Sequence, residues 1–391
     1  MKITKITTHR LRVPTGDKAF FSSQAMFPER NSCLVRIETD QGLTGWGEGG
    51  QWGPGEPVAA VIDQVLGPRL VGRDPTEPVR LWEENYVATR DFGQKGAYID
   101  AISALDIACW DLAGQACGLP VWKLLGGRFR DRVQAYATGC YYPTDYADTT
   151  SMMAKLRAEV EGYAGAGFGL IKVKIGLLPL EQDVARIAMI REVLGPEMAI
   201  MVDANHAYNA GTAVRMAHLM APYDIRFFEE PVVPEDRDGY RKVRAETSIP
   251  VAGGECEFTR YGFRDLIGGG CVDIVQPDLA ACGGFTAFRD ILTLAACHGV
   301  SVVPHVWGSG VAVTAALHAI ATIPLNPHSA HPVALQNAPV IEFDRTHNPL
   351  RDDLLEQPFV LENGALRITE MPGLGQSVRE DQLAVFEVGT P

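Results

Sequence analysis

A net charge of −13 over 391 residues argues against nucleic acid or an anionic membrane as partner. The 46% apolar content supports a large core, yet no charge-free apolar run reaches the roughly 18 residues of a membrane span. The length exceeds the roughly 250 residues of a plain β/α barrel and leaves room for a second domain of about 130.

The chain opens with MKITKITTHRLRVP, which has no apolar h-region, so no signal peptide is expected. Ile3, Ile6, Leu11 and Val13 show strand-like alternation, and CLVRIETDQGLTGWGE reads as a hairpin turning at Asp40, Gln41 and Gly42. Between them, residues 14–31 form a long Gly-, Ser- and Phe-containing stretch, and residues 47–57 form a glycine-rich one. Such loops are lids over a site or plain surface connections. Over residues 99–117, Ile102, Leu105, Cys109, Leu112 and Ala116 recur at helical spacing, stopped by Gly118 and Pro120. Trp110 in that helix reads as core. Residues 1–130 show no barrel rhythm and are taken as an α+β capping domain.

From about Val133 to about Phe343 the pattern changes to short apolar runs separated by helix-sized segments, the signature of buried parallel strands in β/α units. Residues 131–345 are accordingly expected to form a modified (β/α) barrel. The first charged run, LIKVKIG, carries Lys172 and Lys174, two apart and therefore on one side of a strand. Asp203, Glu229 and Glu255 then close AIMVDA, IRFFEEP and IPVAGGE at equal 26-residue intervals. VDIVQPD ends at Asp278, and VSVVPHV carries His305. A lone carboxylate after a strand commonly caps the next helix. Six successive units ending in ionisable groups call for a common task, because buried charges are costly unless paired or metal-bound. Equal spacing puts these groups at one height, the C-terminal end of a barrel where active sites are built. Three carboxylates with no Cys or His among them describe a site for a hard divalent cation, Mg²⁺ before Zn²⁺. Alternation lets only one of Glu229 and Glu230 face the axis. The tail, residues 346–391, returns to hairpin-like sequence (FVLENGALRI) and is expected to pack on the capping domain. The eight cysteines form no CxxC pair and look reduced and mostly buried, as in a cytoplasmic protein.

The Lys172-Val173-Lys174 motif, the Asp/Glu/Glu triplet and the Asp278–His305 pair resemble the enolase superfamily, specifically its mandelate racemase subgroup. VDANHAY, FFEEPVVPED, PVAGGE, QPDLAACGG and VPHVWGSG carry that resemblance across essentially the whole chain. ATG, DANH and EFDRTHNPLR narrow it to enzymes of hexaric acid breakdown. The resemblance implies a TIM-like barrel with a cap from both chain ends, and Mg²⁺ on Asp203, Glu229 and Glu255. It implies a small carboxylate substrate and a homo-oligomer, a dimer or an octamer. Lys172 would add positive charge at the substrate carboxylate and lower the pKa of Lys174, the general base on one face. Asp278 would orient His305, the acid/base on the other face. Asn205 would bind substrate. Glu342, on the eighth strand, would lie near the substrate carboxylate; the register there is the hardest to read because IPLNPHSAHPVALQNAP precedes it. His328 and His331 in that segment read as loop residues. His206 stands between substrate contact and structure.

The resemblance implies a site that abstracts a proton α to a carboxylate with a Lys or His base and stabilises the enediolate with Mg²⁺. The expected outcome is β-elimination that opens D-galactaro-1,4-lactone to a 2-keto-3-deoxy hexarate. The alternatives are dehydration of a free aldarate or aldonate, racemisation or epimerisation, and a non-catalytic metal-binding scaffold.

Overall fold

The computed structural model describes residues 1–50 and 52–388; Gln51, within the glycine-rich stretch, and the last three residues of the tail lie outside them. Strand β1 (Ile3–Pro14) is followed by a hairpin of two short strands, β2 (Phe20–Phe21) and β3 (Met26–Phe27). β4 (Glu29–Thr39) then turns at Gly42 into β5 (Thr44–Gly49). β1, β4 and β5 make an antiparallel sheet. The helix Ala97–Cys117 lies directly on β5, and the sequence explains how. Gly45, Gly47 and Gly49 alternate along the strand, and a methyl group at Gly47 would fall 1.9 Å from the carbonyl oxygen of Ala104. That helix is buried on nearly every face because its other side meets the barrel. There Trp110 Nε1 donates to Thr286 Oγ1 at 3.0 Å, and Thr286 Oγ1 donates to Asp106 at 2.6 Å. Gly118, with φ of 66°, ends the helix in the left-handed conformation glycine adopts freely.

The barrel strands follow. β6 (Arg132–Gly139) precedes the short β7 (Tyr142–Pro143), which pairs with β2. Then come β8 (Leu170–Lys174), β9 (Ala199–Asp203), β10 (Ile225–Glu229), β11 (Val251–Gly253), β12 (Ile274–Val275), β13 (Ser301–Val302) and β14 (Ile341–Asp344). β6 and β8 to β14 are parallel throughout, with β14 paired to β6. β13 and β14 share no ladder. The cylinder is completed by an apolar ring of one side chain per strand position: Tyr136, Leu170, Met201, Phe227, Ala252, Ile274, Val303 and Val340. This is a modified TIM barrel with a capping sheet. Since side chains alternate, the residues two further along each strand form the next layer towards the mouth. That layer holds Thr138, Lys172, Asp203, Glu229, Gln276, His305 and Glu342, so one step of the pleat separates the dry core from the polar floor of the site.

The tail adds the hairpin β15 (Leu361–Glu362) and β16 (Ala365–Arg367), and β16 runs antiparallel to the first residues of β6. Further on, Val388 N–H donates to Arg10 O of β1 at 2.7 Å. The stretch 14–31 holds more structure than its sequence suggests. β2 and β3 are two residues each, too short for a periodic signal, and exist because β7 supplies a partner edge. All eight cysteines are free, five of them buried. Among the described residues no helix is long and apolar enough to cross a membrane.

His318 joins three segments. On the buried helix Gly310–Ala321, its Nδ1 accepts from Trp122 N–H at 3.2 Å and its Nε2 faces Leu374 O at 3.0 Å. Only a neutral ring with its proton on Nε2 satisfies both partners. Burial pushes the imidazole down from its ordinary 6.5 to about 4. Between those values the unfolded chain binds a proton that the folded one does not, so stability is full above pH 6.5 and falls as pH drops towards 4, by roughly 3 kcal/mol. In urea denaturation, His318→Gln should be clearly less stable than the parent at pH 7.5, and the gap should close by pH 4.5. A gap independent of pH would show that His318 is not neutral in the fold.

Candidate active site

The strand ends bring the predicted groups together. Lys174 and Asp203 are register partners across β8 and β9, and Asp203 and Glu229 across β9 and β10. Glu255 lies two residues past β11, and Asp278 and His305 lie three past β12 and β13. Lys172 is fully buried and reaches three carboxylates: Glu229 at 2.8 Å, Glu342 at 2.8 Å and Asp203 at 3.5 Å. Lys174 hydrogen-bonds Asp203. His305 Nδ1 stands 2.6 Å from Asp278, and its Nε2 stands 3.5 Å from Glu255 and 3.7 Å from Glu342. Glu342 therefore bridges the two cationic sides of the floor, and Thr138 Oγ1 and Val306 N–H also donate to it, at 2.6 and 3.2 Å. The eighth strand, unreadable in detail from sequence, delivers this residue because Glu342 pairs in register with Tyr136 of β6.

The protonation states follow from crowding. Burial would push Lys172 down, but Glu229, Glu342 and Asp203 hold its ammonium well above the ordinary value. Burial also opposes charge on Lys174 and Lys172 repels it, as the sequence suggested; the ion pair with Asp203 outweighs both, so Lys174 is raised, contrary to the expected lowering. His305 would likewise be depressed by burial, yet Glu255, Glu342 and Asp278 lift it to about 10. Burial opposes charge on Glu342 too, but Lys172 and His305 hold it down at about 2. Glu229 is pushed up to about 8 by burial and by Asp203 beside it. The floor thus carries more negative charge than its cations offset.

A divalent cation fits that excess. Oxygen atoms of Asp203, Glu229 and Glu255 lie within 4.8 Å of one another. Among the described residues, Glu229 Oε2 and Glu255 Oε2 are buried without a hydrogen-bond partner. Asn205 lies beside this triad. Its N–H donates to Asp203 at 2.8 Å, and its buried Oδ1 is free among the described residues. Asn205 and His206 both have positive φ, at 41° and 67°, an uncommon strained conformation that concentrates at functional sites. Glu230, at φ 44°, turns away from the lysines, and its carboxylate meets His206 Nε2 at 2.5 Å. His328 and His331 are exposed loop residues remote from these contacts.

The sequence did not single out the aromatic cover. Trp52 stacks on the His305 ring at 5.2 Å, and Phe20 meets Tyr141 at 4.4 Å. Tyr141 in turn lies 5.2 Å from the Lys174 ammonium. Ser23 Oγ donates to the carbonyls of Ala204 and Asn205 at 2.6 and 3.1 Å, which lays the stretch 14–31 across the barrel mouth. The signal for Phe20, Ser23 and Trp52 was their place in two long N-terminal loops, and Tyr141, between β6 and β7, carried none.

Comparison with known proteins places the chain. The family model described as "Enolase C-terminal domain-like" matches residues 155–382. That of the "Mandelate racemase / muconate lactonizing enzyme, N-terminal domain" matches residues 6–126. The chain is 44% identical over 394 residues to D-galactarolactone cycloisomerase of Agrobacterium fabrum, covering 100% of both. It resembles the crystal structure of 3,6-anhydro-D-galactonate cycloisomerase from Zobellia galactanivorans with a TM-score of 0.88 and 38% identity, over 100% of both chains. It also resembles a mutant L-talarate/galactarate dehydratase liganded with Mg and L-glucarate, with a TM-score of 0.86 and 28% identity, over 99% of this chain and 92% of that one.

Removing one partner of a buried ion pair leaves the other charge uncompensated, at about 3–5 kcal/mol. Lys172→Met should therefore lower the stability of the metal-free protein by about that amount in chemical denaturation, and adding Glu342→Gln should restore part of it. An unchanged midpoint would mean that the floor carboxylates are already neutral.

Proposed function

The chain belongs to the enolase superfamily, in its mandelate racemase / muconate lactonizing enzyme branch, and from that premise we propose that it opens an acid-sugar lactone, D-galactaro-1,4-lactone or a close relative, by β-elimination. The observation that carries this reading is the Asp203, Glu229 and Glu255 triad set between Lys174 on one side and the His305–Asp278 pair on the other. The likeness to a lactone-opening enzyme over the full chain supports the choice of substrate.

Asp203, Glu229 and Glu255 would hold Mg²⁺, a hard cation suited to three oxygen donors. Bound there, it would supply positive charge to an anion developing on the substrate carboxylate. Lys172 adds to that charge from the floor, and Asn205 offers its side-chain amide at the rim. Without the ion, Asp203 and Glu255 help hold Lys174 and His305 protonated; a cation on those carboxylates would offset their charge and free Lys174 or His305 to take the proton α to the free carboxylate. The bond between the β carbon and the ring oxygen breaks, and the ring oxygen leaves as a carboxylate. That leaving group is a weak base and needs no proton from the protein. The enol then gains a proton at the former β carbon and becomes a 2-keto-3-deoxy hexarate, with no water lost. Tyr141, Phe20 and Trp52 exclude water from the reacting groups, which strengthens each charge interaction.

One observation favours a second reading, dehydration of a free acid sugar. His305 is held protonated at neutral pH by its three carboxylate neighbours, and hydroxide, unlike a carboxylate, needs a proton to leave.

Proton NMR in D₂O with Mg²⁺ separates the two. We expect galactarolactone to yield a 2-keto-3-deoxy hexarate with deuterium at the new methylene, and galactarate and glucarate to stay unchanged. Turnover of a free acid alone would replace the lactone reading with the dehydratase one. Silence on all three, with α-deuterium exchange on some other acid, would discard the substrate and keep the chemistry. Lys174→Met and His305→Asn should each reduce kcat by about 10²–10⁴-fold, as loss of a general acid or base does. Chelation should abolish turnover and Mg²⁺ restore it. Mg²⁺ should also raise the Tm of the stripped parent, and Glu229→Gln should remove that increment.

A further inference from the structure

Beside the hard-cation triad stands a second cluster of different chemistry. Glu230 and Cys256 are the chain neighbours of Glu229 and Glu255, and His206 follows Asp203 by three. Their ligand atoms lie within 4.8 Å of one another. His206 Nε2 is 2.5 Å from Glu230 Oε2 and 3.9 Å from Cys256 Sγ. The donor set is imidazole, carboxylate and thiolate. Borderline and soft divalent ions take it readily, and Mg²⁺ does not. We propose that the chain binds a zinc-like transition-metal ion at His206, Glu230 and Cys256, separately from the oxygen-only site on Asp203, Glu229 and Glu255.

Three observations carry this. Spacing is the first: in a tetrahedral zinc site the ligand atoms stand roughly 3.3–3.8 Å apart; Cys256 Sγ lies 3.9 Å from His206 Nε2, and the 2.5 Å hydrogen bond between His206 and Glu230 would open by roughly 1 Å as the ion replaced its proton. Charge is the second: one carboxylate and one thiolate balance a divalent ion at a place where, among the described residues, the buried Glu230 carboxylate otherwise meets only the His206 ring. Orientation is the third. Metal-bound histidines are held through their other ring nitrogen, and the amide of Gln24 lies 3.3 Å from His206 Nδ1. With its amide oxygen turned to that nitrogen, an assignment the hydrogen-bond network decides, Gln24 accepts from Nδ1–H and leaves Nε2 for the ion. Gln24 belongs to the segment covering the barrel mouth, so the ion would also tie that cover to β9, β10 and β11.

Titration with Co²⁺ in excess Mg²⁺ tests the proposal. We expect one equivalent of Co²⁺ to produce the near-ultraviolet thiolate-to-cobalt charge-transfer absorption, which oxygen ligands cannot give. Cys256→Ser should abolish it. Substituting the two exposed cysteines, Cys117→Ser with Cys297→Ser, should leave it unchanged. Gln24→Ala should weaken Co²⁺ binding by roughly 10-fold or more. Should Cys256→Ser not fold by circular dichroism, His206→Gln takes its place, with loss of the one-equivalent endpoint as the expected result. Absence of the band, or a band that survives Cys256→Ser, would overturn the assignment. The readout is metal–sulfur bonding rather than turnover, so its failure is distinct from failure of the lactone chemistry.

Discussion

Lys172 sits at the centre of the molecule, wholly out of water, with three carboxylates around its ammonium group. An ion moved from water into such a place is costly, and it persists only where opposite charge and hydrogen bonds compensate it closely. That requirement couples every group on the barrel floor. Glu342 is held ionised by Lys172 and His305, Lys174 is held charged by Asp203, and Glu229 is left with more negative neighbours than positive ones. The residual negative charge suits the floor to a divalent cation. The low dielectric that makes the arrangement expensive also makes each charge effective on a substrate anion.

The capping domain is tied to this floor at several points. Glu48, at the end of the glycine strand β5, accepts hydrogen bonds from Ser309 N–H at 2.9 Å and Ala312 N–H at 2.9 Å, and Ser32 Oγ donates to it at 2.8 Å. It thereby caps, from the other domain, the barrel helix Gly310–Ala321 that begins a few residues after His305. Each such hydrogen bond to a charged group contributes on the order of 1.5–3 kcal/mol. The same strand leads into Trp52, which stacks on His305. Ser23 fixes the cover at Ala204 and Asn205. Disturbance of the cap would therefore be felt at both proton-transfer sides.

The floor and the cover have different tasks. Under the proposed function the floor sets the class of reaction, because paired bases beside a cation would move an α proton and stabilise what remains. The outcome after that depends on what the substrate carries on its β carbon and how it is seated. Under the proposed function those choices would fall to Trp52, Phe20, Tyr141 and Asn205 at the mouth. Proteins similar to this chain over nearly its whole length carry both cycloisomerase and dehydratase names.

Much of this was determined by the sequence alone. The barrel rhythm, the hairpin through Gly42, the helix ending at Gly118, and the ionisable residue closing six successive units were all legible. Parallel β/α units repeat one geometry, so equal spacing along the chain becomes equal height in the barrel. Asp203, Glu229, Glu255, Asp278 and His305 could be placed for that reason. Other features have no local signature. β2 pairs with both β3 and the distant β7, and the aromatic cover forms from residues more than a hundred positions apart. Glu342 reaches Lys172 through a register set by β6, across an irregular segment whose sequence has no strand spacing. Glu230 and His206, both past their strands at positive φ, meet each other and Cys256, a contact between three strand ends that no local pattern shows. The charge state of Lys174 also awaited the fold. Its neighbour Lys172 is visible two residues away in sequence, but the opposing carboxylate of Asp203 arrives from the next strand, and its distance decides which interaction prevails.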